Sequence, residues 1–229
     1  MRYIHLMPWW HLIAGLQVLL ALIVTFRVLV LRLQSVRRML FFLLLPTILA
    51  PISFVPPVDY RKVWICFSAL EWTCSVGIVY AFLSAALSKF DGLLKIFRKA
   101  WTLALVLGIG TAVLQTHDLP DSLASLTMDV LALNRAVLTL VGFALILLVG
   151  LVLYYPIPIP GNLAKVSIGT AIIFGVRTLR QFGEPWTHDV AFELWMREIG
   201  TVLWIGCLTY WSLFLSSTGE VEDRARIGV

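Results

Sequence analysis

The sequence predicts an all-α polytopic membrane protein, a bundle of seven transmembrane helices forming one domain. Three observations predict it. First, 60% of the 229 residues are hydrophobic and only 14% are charged, with a mean hydropathy of +0.91. A soluble domain of this size could not bury that much apolar surface. Second, the apolar residues gather into seven stretches, and about 20 such residues suffice to cross a hydrocarbon core of roughly 30 Å. Third, the basic residues crowd toward one side of those stretches, as short cytoplasmic connections require.

In chain order the spans are expected at 8–31, 39–57, 63–87, 100–115, 124–154, 163–179 and 195–217. The first is bounded by Pro8-Trp9-Trp10 and by Arg27 and Arg32. The second starts at Met39 and contains Pro46 and Pro51, each of which removes a helix hydrogen bond and bends the axis. The third carries Glu71 and the fourth opens at Trp101. The fifth is too long to lie wholly in lipid; its unbroken apolar part is Ala136 to Tyr155, so 124–135 projects as a helical extension. Before the sixth, Pro156-Ile157-Pro158-Ile159-Pro160-Gly161 reads as a stiff extended connector. The domain thus runs 1–217, and 218–229 is a short tail. The amino-terminal run is expected not to be a cleavable signal: it is long, weakly basic at its start and followed by no small-x-small site.

Lysine and arginine set the orientation. Arg27, Arg32, Arg37, Arg38, Lys89, Lys95, Arg98, Lys99, Lys165, Arg224 and Arg226 make 11 of the 18 basic residues on one side. That side is predicted to be cytoplasmic, with the amino terminus outside and the protein multi-pass in the inner membrane. Most acidic residues and all four histidines map to the outer side. A net charge of +5 would suggest nucleic acid in a soluble protein; here it belongs to loops beside anionic lipid, and no nucleic-acid partner is expected. Seven spans leave no soluble domain for a kinase, nuclease or DNA-binding module. Cys66, Cys74 and Cys207 lie within spans without CxxC or Cys/His spacing, so neither a disulfide framework nor a zinc site is expected.

The candidate site is a polar cluster on the outer halves of the helices: Glu71, Asp129, Arg135, Arg177, Arg197 and Glu198. Glu71 falls roughly 12 Å below the outer boundary at 1.5 Å per residue. A carboxylate at that depth has to be paired, protonated or wet. Asp129 and Arg135 are six residues apart, the wrong spacing for a pair on one helix face. Arg135 is therefore expected to reach a neighbour's carboxylate, Glu71 or Glu198. Arg177 and Arg180 end the sixth span, and Arg197 and Glu198 open the seventh. The cluster reads either as a cap pinning the helix ends or as a pocket for an anionic or polar ligand; the cap is slightly preferred.

Other features have structural readings. His11 is the one histidine near a span, a candidate axial ligand for haem or pigment, although a bis-histidine site needs a second histidine at matching depth. Interfacial belts account for Trp9, Trp10, Trp64, Trp72, Trp186 and Trp195; Trp72, Trp204 and Trp211 lie deeper, where packing or a pocket would hold them. Ala104, Gly108 and Ala112, and Ser167, Ala171 and Gly175, form small-residue stripes suited to close helix approach or to partner contact. The segment Lys89 to Lys99 alternates basic and apolar residues, as a short amphipathic turn on the inner leaflet would.

Receptor-like families fail on their motifs. The seventh span holds no lysine for retinal, span three ends Leu87-Ser88-Lys89 without Asp-Arg-Tyr, and Asn-Pro-x-x-Tyr is absent from span seven. A basic connection before Arg37-Arg38-Met39-Leu40-Phe41-Phe42, the stretch Asp91-Gly92-Leu93-Leu94-Lys95 through Lys99, and Leu133-Asn134-Arg135 resemble the uncharacterised seven-span membrane proteins abundant in acidobacteria. The resemblance covers most of the chain; it implies a seven-span fold and carries no activity. The expectation is a non-enzymatic membrane protein, an accessory subunit of a larger complex or a sensor module. The alternatives are a solute or ion transporter or channel using the outer cluster, and a haem or pigment subunit. No cofactor is expected. The partners are lipids and other membrane subunits or copies of the chain.

Overall fold

The computed structural model is all-helical, as a chain this apolar requires, because a helix satisfies each backbone N–H and C=O within its own segment. It describes residues 9–51, 60–87, 90, 92, 94–99, 101–103, 106, 123–154, 159–187 and 190–220. Six long helices follow one another: α1 (Trp9–Val30), α2 (Gln34–Leu49), α3 (Tyr60–Ala86), α4 (Leu123–Tyr154), α5 (Gly161–Thr187) and α6 (Val190–Phe214). A 3-10 turn, Ser217–Glu220, follows α6, and residues 94–99 and 101–103 are helical between α3 and α4. Most of the predicted fourth span lies outside the described residues, as do Ala104, Gly108, Ala112, His117, His188 and the tail beyond 220.

Consecutive helices pack side by side, and α6 returns to α1, so the six close a ring. Helix α5 also reaches across to α2 and α3. Its inward residues Leu163, Val166, Ile173 and Phe174 are buried against Val79, Phe82, Val141, Leu145 and Leu208. Among the described residues three interfaces between long helices close on glycine, one of them that of Gly142 on α4 with Thr178 on α5. A Cβ at Gly77 of α3 would stand 2.8 Å from the Phe42 ring of α2, and one at Gly169 of α5 would stand 2.8 Å from Trp211 Cζ2 of α6.

The boundaries correct the sequence reading where polar residues were taken as ends. Helix α2 spans 34–49 and so begins before the predicted 39; residues 52–57 of the predicted span lie outside the described residues. It begins early because α1 ends in a Schellman motif. Arg32 takes the left-handed conformation (φ 51°), Leu33 N donates to Val28 O at 3.0 Å and Arg32 N to Leu29 O at 3.2 Å. Leu33 and Val28 are both buried, the apolar contact that accompanies this motif. Helix α5 runs 161–187 instead of 163–179, and α6 starts at 190 instead of 195; charged residues leave a membrane pattern without leaving a helix. Gly161, predicted in the connector, opens α5, with Pro160 O accepting Ala164 N at 3.1 Å.

Two stretches, His11–Val30 and Ile65–Ala86, are long and apolar enough to cross a membrane, and Ala136–Leu148 is a shorter apolar helix, among the described residues. Large apolar side chains point outward on nearly every helix. Leu12, Phe26, Leu147, Trp195, Val202 and Leu213 are each more than 60% exposed.

At one end of the bundle three side chains hold the carboxyl end of α6. Arg27 donates from Nε to Leu215 O (2.7 Å) and from Nη2 to Leu213 O (3.1 Å). Lys165 Nζ donates to Phe214 O at 3.0 Å, and Asn162 Nδ2 to Ser216 O at 2.7 Å. These are the carbonyls a helix end leaves without partners, and two cations lie where the helix dipole is negative. The positions of Arg27, Lys165, Arg37 and Arg38 make this the basic end of the molecule.

Candidate functional site

At the opposite end a cavity of about 370 Å³ opens between α1, α2, α3, α5 and α6. Helical periodicity decides which residues reach it. On α5 they are Ile173, Val176, Arg177 and Arg180, spaced i, i+3, i+4, i+7 along one face; on α6 they are Arg197, Gly200, Thr201 and Trp204. Helix α3 contributes Phe67 and Glu71, four apart, α2 contributes Pro46 and Thr47, and α1 contributes Gln17. The wall holds three guanidinium groups and one carboxylate, above an apolar floor.

Arg177 Nη1 donates to Glu71 Oε1 across the α3–α5 interface, both side chains partly exposed to the cavity. Glu71 is eleven residues from the start of α3 and Arg177 ten from the end of α5, which places both roughly 15 Å from their helix ends. The matching depth is why they meet. Phe174, one turn below, puts its ring 6.0 Å from the Arg177 guanidinium carbon. Nearer the rim, Arg180 Nη2 donates to Glu193 Oε1 at 3.0 Å, joining α5 to α6. Below the first pair a second cavity of about 40 Å³ shares Glu71, Arg177 and Trp204 and adds Cys74 and Ser75. Volume and polar wall together suit bound water there.

The structure thus brings Glu71, Arg177 and Arg197 to one cavity. Glu198 is half-buried on α6, adjacent to Arg197 but outside the wall. Asp129 and Arg135 are on α4, and their side chains lie outside the described residues. The expected reach of Arg135 to Glu71 or Glu198 lies outside the described side chains; among those described, Arg177 of α5 is the partner of Glu71. Sequence reasoning missed Gln17 and Glu193 as members. The i, i+3 spacing of Arg177 and Arg180 could have joined Arg180 to the set; nothing in the sequence singles out Gln17.

The tryptophans divide. Trp72 Nε1 donates to Asn134 Oδ1 at 2.8 Å, linking α3 to α4. Trp211 is fully buried, and Trp204 packs edge-on against it with centroids 6.0 Å apart while lining the cavity. His11 is exposed on α1. Among the described residues no three His, Cys, Asp or Glu side chains gather as a metal site would require. The chain matches no protein-family model, no curated protein and no solved structure.

Proposed function

We propose that this chain is a non-enzymatic, multi-pass membrane protein that binds a small organic anion in the arginine-lined cavity and acts as a sensor or accessory subunit of a membrane assembly. The reading takes the orientation from the sequence, seven spans with the amino terminus outside and the carboxyl terminus in the cytoplasm of a bacterial inner membrane. The cavity then faces outward and the basic end faces the cytoplasm. The outward apolar side chains support lipid as the surroundings, since soluble monomers rarely expose contiguous apolar surface of this extent. The seven-span bacterial proteins the sequence resembles have the same expected architecture.

The observation that carries the ligand class is the composition of the wall. Arg177, Arg180 and Arg197 stand against Glu71 in the wall and Glu193 at the rim, an excess of one cation, and guanidinium forks match carboxylate, phosphate or sulfonate oxygens in pairs. Phe67, Ile173 and Trp204 supply the apolar surface for the rest of the ligand, and the volume lies within the range of small-molecule sites.

The test is calorimetric titration of the full chain in mild detergent with organic anions of graded apolar length and their neutral isosteres. Binding of anions only, weakened at least roughly tenfold by Arg197→Gln, supports the reading. Equal binding of the neutral isosteres, or none across the series, overturns it. A transporter reading has its own support in the Glu71–Arg177 pair, which separates the open cavity from the small one beneath. It requires that Glu71→Gln change the flux of the bound anion in liposomes, and it falls if the native chain carries none.

A further inference from the structure

We propose a second ligand site, at the basic end, for one anionic phospholipid of the cytoplasmic leaflet; the proposal rests on the membrane reading above and is independent of the outward cavity. A groove of about 760 Å³ lies between α1, α2 and α3, roughly twice the volume of the arginine-lined cavity. Its wall is apolar for most of its length, built from Val28 and Leu29 of α1 and Leu40, Leu44 and Ile48 of α2. From Arg37 to Ile48 it follows α2 for eleven residues, about 16 Å at 1.5 Å per residue. That is the reach of an acyl chain lying along a helix. The polar groups gather at one end.

Arg37 and Arg38 both line the groove. Both are exposed, and neither has a hydrogen bond or ion pair among the described residues. A third cation borders the groove wall: Arg98 lies over the ring of Tyr80, a lining residue, 5.3 Å from its centroid. Ser84 adds a hydroxyl whose oxygen is buried and unpartnered among the described residues. Leu33 caps α2 without a side-chain hydrogen bond, so the positive end of that helix dipole adds to the same field.

The charge pattern selects the occupant. A neutral lipid would fill the apolar wall and leave Arg37 and Arg38 uncompensated. A free phosphate would meet the arginines and leave the wall empty. An anionic phospholipid satisfies both at once: its phosphate takes the guanidinium hydrogen bonds, and one acyl chain lies along α2. Arginine beside the inner leaflet favours anionic headgroups on electrostatic grounds alone, and the groove converts that general attraction into a discrete site.

Native mass spectrometry of the full chain tests this after exchange into detergent holding equal amounts of phosphatidylglycerol and phosphatidylcholine with identical acyl chains. The expected result is retention of phosphatidylglycerol roughly tenfold or more over phosphatidylcholine. That preference falls toward unity in Arg37→Gln/Arg38→Gln, and partway in Arg98→Gln. These arginines are exposed, so an unchanged far-UV circular dichroism spectrum is expected for each variant. Millimolar inorganic phosphate should leave the lipid in place; displacement by phosphate alone would show an anion site without a lipid groove and overturn the proposal. Equal retention of both lipids by the native chain, or a preference that survives the double variant, overturns it too. A chain that stays in the aqueous phase without detergent sinks the membrane reading, a failure the lipid ratio does not mimic.

Discussion

Gly169 and Gly175 lie six residues apart on α5, and neither the residue type nor the helix distinguishes them. The structure does. A Cβ at Gly169 would meet Trp211 at 2.8 Å and Cys207 Sγ at 3.2 Å, whereas at Gly175 it would meet nothing within 4 Å. Trp211 is fully buried and donates from Nε1 to Lys165 O at 3.4 Å, so it has little room to yield. Gly169→Ala is therefore expected to destabilise by roughly 1–3 kcal/mol through overpacking. Gly175→Ala should be neutral or gain up to about 1 kcal/mol from helix propensity. Unfolding midpoints of the two variants in one detergent check the sign of each. The predicted small-residue stripe Ser167, Ala171, Gly175 was a statement about faces. Ser167 turns out to be buried with its hydroxyl donating to Leu163 O at 2.6 Å, and the tight contact belongs to Gly169, which the stripe omitted. A four-residue spacing identifies a face of a helix and leaves open how near another helix comes to it.

At the scale of the element, α6 illustrates how a helix end is held by distant parts of the chain. Arg27 is 186 and 188 residues from the two carbonyls it binds. In the sequence it reads only as a positive charge at the end of a span. Its two bonds are charge-assisted, and its planar fork reaches two carbonyls at once, which one ammonium does poorly. Arg27→Ala is expected to cost on the order of 2–3 kcal/mol, and Arg27→Lys to recover part of that. Thermal unfolding of both variants, alongside Arg37→Gln as a charge control, separates capping from general electrostatics. Equal losses in Arg27→Ala and Arg37→Gln, with none in Arg27→Lys, would show that only net charge matters. The helices themselves were visible from apolar periodicity. Their ends were not, because the Schellman turn at Arg32 acts through backbone geometry, which hydropathy does not register.

At the scale of the whole molecule, the two ends differ in kind. One gathers Glu71 and three arginines around an open cavity; the other gathers Arg27, Arg37, Arg38, Arg98 and Lys165 around carbonyls and an apolar groove. In the proposed orientation the first faces outward and the second the cytoplasm. Single cysteines at Ala191 and Ser217, in a chain with Cys66, Cys74 and Cys207 replaced by serine, report this directly. A membrane-impermeant maleimide applied to intact cells should label Ala191→Cys at once and Ser217→Cys only after permeabilisation. The reverse pattern inverts the orientation, and labelling of both in intact cells rules out the predicted crossing. The separation of charge between ends was readable from lysine and arginine positions. The convergence of the outer charges was readable only as a list, since five helices had to be arranged before any pair had a partner.

The sequence by itself determined that the chain is helical, that its helices are apolar on more than one face, and that its polar residues segregate toward the helix ends. Each of these depends on residue type and local spacing. The tertiary structure alone decided that Glu71 meets Arg177, that Arg180 meets Glu193, that Arg27 closes α6, and that two cavities of opposite setting occupy the two ends. An ion pair forms where two side chains agree in depth and in rotation about their axes. Those coordinates come from the ring of helices and the reach of α5 across it to α2 and α3, which no single segment encodes.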